Sequence, residues 1–69
     1  MRRLKWKRES QYAISANEGE FAIAKFFLDG CTLYLLTRGR GKDVINVKYD
    51  EDPDVLRQLA LKLHNEAKP

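Results

Sequence analysis

Two runs, Phe21-Ala22-Ile23-Ala24-Lys25-Phe26-Phe27-Leu28 and Cys31-Thr32-Leu33-Tyr34-Leu35-Leu36-Thr37-Arg38, flank the dipeptide Asp29-Gly30. Both are rich in aromatic and aliphatic residues, which suit a pleated, half-buried surface. Asp-Gly between such runs is a hairpin signal, because both residues accept the positive φ of a tight turn. The reading is a pair of antiparallel strands, Glu20–Leu28 and Cys31–Arg38. A two-residue loop sets Leu28 opposite Cys31, Phe26 opposite Leu33 and Ala24 opposite Leu35. Side chains alternate across a strand. One face of the hairpin therefore holds Ala22, Ala24, Phe26, Leu28, Cys31, Leu33 and Leu35, almost wholly apolar, and is expected to be core. The other holds Phe21, Ile23, Lys25, Phe27, Thr32, Tyr34, Leu36 and Arg38, where aromatics mix with cations.

Upstream, Asn17-Glu18-Gly19 reads as a turn and Gln11–Ala16 as a short strand with Tyr12 and Ile14 on one face. The first eight residues carry Arg2, Arg3, Lys5, Lys7 and Arg8 and no acid, with Leu4 and Trp6 between the charges. They read as a basic N-terminal arm or as an edge strand. Downstream, Arg38-Gly39-Arg40-Gly41-Lys42 is a basic, glycine-rich loop, and Asp43–Tyr49 reads as another strand. Asp50, Glu51, Asp52 and Asp54 then introduce a helix over 53–67: Asp52 is a good N-cap, Pro53 suits the first helical position and Asp54 favours the positive end of the dipole. Leu56, Leu59, Ala60, Leu63 and Ala67 recur at helical spacing, while Leu61 falls off that stripe. The fold class is α+β: one domain over 1–69, an antiparallel meander of three to four strands over 11–49, and one C-terminal helix packed on one face. A single helix covers one face of a sheet, so the other must be solvated, paired with another chain or used for binding.

Composition narrows the function classes. The chain has 69 residues, a net charge of +3 and 43% hydrophobic residues. That suits one small domain near the lower limit of self-supporting folds. One cysteine, Cys31, excludes an internal disulfide, and one histidine, His64, leaves no Cys/His cluster for zinc. No metal and no cofactor are expected. The single thiol and the lack of a signal-like or membrane-length apolar run point to a cytoplasmic chain with no membrane partner. No serine or thiol has a base and an orienting partner in evident reach, so no enzyme and no small-molecule substrate are expected.

Three features are candidate binding sites. Lys25, Tyr34, Phe21, Phe27, Leu36 and Arg38 place rings beside cations, a pattern in which bases stack while charges track phosphates, worth about 1–3 kcal/mol per base. The competing reading is packing under the N-terminal segment or at a dimer interface. Arg38, Arg40 and Lys42 in the glycine-rich loop could approach a phosphate; the competing reading is a charged, solvated tip. Arg3, Lys5 and Trp6 in the arm could grip a nucleic-acid backbone, or protect a sheet edge by their charge.

Trp6-Lys7-Arg8-Glu9-Ser10, Tyr12-Ala13-Ile14-Ser15, Gly19, Phe21-Ala22-Ile23-Ala24-Lys25, Asp29-Gly30 and Tyr34 together resemble a pattern of small phage- and prophage-borne proteins of unknown role, over roughly residues 6–36. The Arg/Gly loop and the acidic helix start depart from it. In architecture alone the chain is also similar to the sheet-plus-helix domain of integrase arms and to the coactivator-type sheet-plus-helix fold that binds single strands as a dimer. No motif carries binding residues over from either, and fold does not fix function. The expectation is a small accessory protein that binds nucleic acid through the mixed face and the Arg/Gly loop. The alternative is a protein-interaction module or homodimer that uses the uncovered face, with Phe21, Phe27 and Leu36 as contacts.

Overall fold

The computed structural model describes residues 4–66. Five strands, β1 (Trp6–Ser10), β2 (Ala13–Ala16), β3 (Phe21–Leu28), β4 (Cys31–Arg38) and β5 (Ile45–Asp50), form one antiparallel sheet in the order β1-β2-β3-β4-β5. One helix, α1 (Pro53–Glu66), follows and packs on the sheet against β3, β4 and β5. The architecture is α+β with one strand more than the upper expectation, because Trp6–Ser10 of the basic segment pairs with β2 as an edge strand. Its opening residues, Arg3 among them, and Ala67 at the end of the expected helix lie outside the described residues.

Turn chemistry accounts for the meander. Asp29 and Gly30 have φ of 49° and 78°, and Leu28 pairs with Cys31, so the central hairpin closes in the expected two-residue turn and register. Asn17, Glu18 and Gly19 all have positive φ and join β2 to β3. At the β1–β2 corner the Tyr12 amide donates to Ser10 Oγ at 3.2 Å. After β4 a short 3₁₀ turn, Gly41–Asp43, delays the fifth strand to Ile45. The helix starts as its sequence dictates. The Asp54 amide donates to Asp52 Oδ1 at 2.9 Å, and the Asp52 amide donates to Asp50 Oδ1 at 2.8 Å.

The helix lies on the face opposite to the one expected. Its Leu56 and Ala60 form the core with Ala16, Phe21, Ile23 and Leu36, and Leu4, Trp6, Ile14, Tyr34, Val47, Leu59 and Leu63 pack around them. Phe21, Leu36 and Leu56 are fully buried. Bulk, more than a count of apolar positions, selects this face. Burial energy follows apolar area, and in the rows beneath α1 Phe21, Ile23 and Leu36 offer more of it than Ala22, Ala24 and Leu35, while Phe26, Leu28 and Leu33 lie nearer the hairpin tip. The outer strands reinforce the choice: the register puts Trp6, Ala16 and Phe21 in one row and Ile14 and Ile23 in the next. Leu61, off the helical stripe, lines a groove with Leu4 and Trp6 of the N-terminal segment.

Candidate functional site

The face away from the helix carries Ala13, Ala22, Ala24, Phe26, Leu28, Cys31, Leu33, Leu35 and, from β5, Tyr49, which the register aligns with Leu35. Leu35 is buried by its neighbours within the sheet, and Ser15 is buried where its hydroxyl donates to the Glu9 carboxylate. The larger side chains stand open: Phe26 is 40% exposed, Leu28 53% and Tyr49 53%. Cys31, expected to pack inward, is exposed as well, since among the described residues no helix or strand lies over this side. On β2, β3 and β4 this face holds no charged residue. Lys7 and Glu9 lie on the β1 edge. Small residues at the centre and large ones at the margin make a shallow apolar surface.

The residues expected to contact a partner divide. Phe21 and Leu36 are not an interaction face: both lie under α1 at 0% exposure. Phe27, on the same face but near the hairpin tip, is exposed, since the helix begins short of that end of the strands. Lys25 and Tyr34 form a cross-strand pair there. Arg38 and Arg40 are engaged within the fold. Arg38 Nε lies 3.4 Å from Glu20 Oε2, and its guanidinium sits 5.4 Å from the centre of the Phe21 ring. Arg40 donates to the main-chain oxygens of Asn17 at 2.7 Å and Glu18 at 3.3 Å. The two glycines of the loop differ: a Cβ at Gly41 would meet open space, whereas Gly39 is closed in. The space beside Gly39 Cα is filled by the chain itself, with the Asp43 carbonyl 2.2 Å from where a Cβ would stand. Lys42 and Lys5 are exposed. Trp6 packs against the core.

The nucleic-acid set is therefore not one surface. Lys25 and Tyr34 lie by the start of α1. Arg38 lies four residues further along β4, about 13 Å away at strand rise, towards the end of α1 where His64 meets the Phe21 ring edge-on at 6.3 Å. The structure gathers other residues round the Lys25–Tyr34 pair. A groove of about 220 Å³ is lined by Arg8, Tyr12, Lys25, Tyr34, Pro53 and Arg57. Tyr12 meets Phe27 edge-on at 6.0 Å, and Lys25 Nζ lies 5.3 Å from the centre of the Phe27 ring. Arg8 joins this cluster through its pairing with Ile14, and Arg57 from α1, one turn after Pro53. The β1–β2 register and the placement of α1 were the signals needed to add them, and neither is local in sequence.

Among the described residues no group of His, Cys, Asp and Glu is placed to hold a metal ion, and no helix is long and apolar enough to cross a membrane. The chain matches no protein-family model, and no curated protein or solved structure matches it significantly.

Proposed function

We propose that this chain is a non-enzymatic self-association module in which two copies pack open sheet face against open sheet face. The observation that carries the reading is the placement of α1 on the side of Phe21, Ile23 and Leu36, which leaves Phe26, Leu28 and Tyr49 exposed and Leu33 half-buried around a floor of Ala13, Ala22 and Ala24. Three features favour a second copy as the occupant. The core of one chain is small, with only three large side chains fully buried, and a fold of this size gains most from permanent cover. The flat footprint of the five strands at strand rise and spacing is about 500 Å², of the same order as the ~800 Å² of accessible surface, counted over side chains, that each partner gives to a stable interface. The floor of alanines also lets a facing sheet approach to the usual ~10 Å, with the marginal side chains of each copy entering between those of the other. A two-fold axis makes such a contact self-complementary. A phosphate-bearing partner finds no cation on the three central strands of this face.

The absence of a catalytic role is part of the proposal. The Ser15 hydroxyl donates directly to the Glu9 carboxylate, with no imidazole between them. The test is sedimentation across a concentration series, with Ala24→Gln/Leu33→Gln as the comparison. The natural chain should sediment at twice the monomer mass in the micromolar range, and the double variant at the monomer mass with unchanged far-ultraviolet dichroism. A natural chain that stays monomeric at high micromolar concentration sinks the proposal.

A further inference from the structure

We infer that the ledge beyond the start of α1 binds single-stranded nucleic acid, with one base against the Tyr12–Phe27 pair and flanking phosphates on Lys25, Arg8 and Arg57. The ledge exists because of lengths. At 1.5 Å per residue the 14-residue helix spans about 21 Å, while the eight-residue strands beneath it span about 26 Å and run on past its first turn. Beyond that turn the helix-side face has no cover, and two rings lie open to solvent: Tyr12 is 48% exposed and Phe27 62%.

Arg8, Lys25 and Arg57 line the groove with Tyr12, Lys25 also stands against Phe27, and among the described residues no carboxylate lines the groove. Arg57 is paired with Asp54, its neighbour on the helix. Among the described residues Arg8 and Lys25 have no carboxylate partner within ion-pair distance; Arg8 Nε donates to the Ser10 carbonyl at 3.4 Å. Lys25 instead stands near the face of the Phe27 ring. Exposed rings interleaved with unpaired cations suit a ligand that offers a flat π-face and a negative charge a few ångströms apart, which is a nucleotide. A carboxylate peptide would use the cations and leave the rings idle. The groove, about 220 Å³, is smaller than the ~300 Å³ at which pockets for whole organic ligands begin. It admits one base or one phosphoryl group, with the rest of the strand lying along the open side. A duplex keeps its π-faces stacked and cannot use the rings.

This inference is independent of the pairing of sheet faces. The ledge is on the helix side and stays on the outside of a face-to-face dimer. The test is anisotropy of a labelled oligothymidylate at low and then rising salt, with thymidine monophosphate and a blunt duplex as competitors. The strand should bind at low salt, weaken as salt rises, and be displaced by unlabelled strand at far lower concentration than by the mononucleotide or the duplex. Phe27→Ala removes an exposed ring outside the core and should weaken binding about ten-fold or more, with the fold intact by dichroism. Lys25→Ala should weaken binding and flatten the salt dependence, while Lys62→Ala, on the outer side of α1, should leave both unchanged. The monomeric double variant Ala24→Gln/Leu33→Gln should bind with the same affinity per chain, which separates this site from the self-association reading. No binding at low salt, or equal binding by the natural chain and Phe27→Ala, overturns the inference.

Discussion

Gly39 shows how far a single position can bind two parts of this chain together. Its φ is 119°, its amide donates to the Glu20 carbonyl at 2.8 Å, and the Asp43 carbonyl occupies the place of a Cβ. Strain and overlap therefore coincide at one residue. Gly39→Ala should cost at least about 2 kcal/mol, read as a lower urea midpoint at fixed protein concentration. Gly30 is the useful contrast. Its φ is also positive, at 78°, but a Cβ there meets open space. Gly30→Ala should cost only the conformational penalty of about 1–2 kcal/mol. Asp52 caps α1 through the Asp54 amide, and Asp52→Ala should lower stability by about 1 kcal/mol in the same measurement. The arginines belong here too. Arg38 and Arg40 looked like free charge in the sequence because their partners, Glu20 and the carbonyls of Asn17 and Glu18, lie about twenty residues earlier.

The central hairpin has two faces with opposite fates. Its turn, register and alternation were legible in the residues, since Asp29-Gly30 and the period of two are local properties. Which face took the helix was not. The hairpin by itself suggests the more uniformly apolar side, whereas the choice depended on Trp6, Ile14 and Val47 arriving from three other strands. The two faces should answer mutation differently. Leu36→Ala opens a cavity under α1 and should cost about 2–5 kcal/mol in any oligomeric state. Leu33→Ala, half-buried on the open side, should change the monomer far less and shift the sedimentation equilibrium towards the single chain. A large loss of monomer stability from Leu33→Ala, with no change in association, would count against the pairing of faces. The helix repeats the lesson. Its start and cap followed from Asp52 and Pro53, but the surroundings of Leu61 depended on the N-terminal segment lying beside it.

The molecule measures 42 × 23 × 19 Å, a plate of one sheet and one helix with apolar surface on one side and a ringed, basic ledge on the other. If two copies pair through the open face as proposed, the melting temperature should rise with protein concentration, and the rise should vanish in Ala24→Gln/Leu33→Gln. A melting temperature that is flat across the series would mean that the monomer supports itself. The ledge was partly legible. Lys25, Tyr34 and Phe27 share a face by alternation alone, but Arg8, Tyr12 and Arg57 join them only once β1 has paired with β2 and the helix has docked.

Local chemistry dictated the turns, the strand register of the hairpin, the helix start and the class of the fold, because each rests on a few neighbouring residues and on backbone preferences. Docking of the helix dictated the rest: which side of the sheet is sealed, which rings meet water and which cations are free. Those depend on apolar volume summed over five strands, and that sum exists only when distant segments stand side by side.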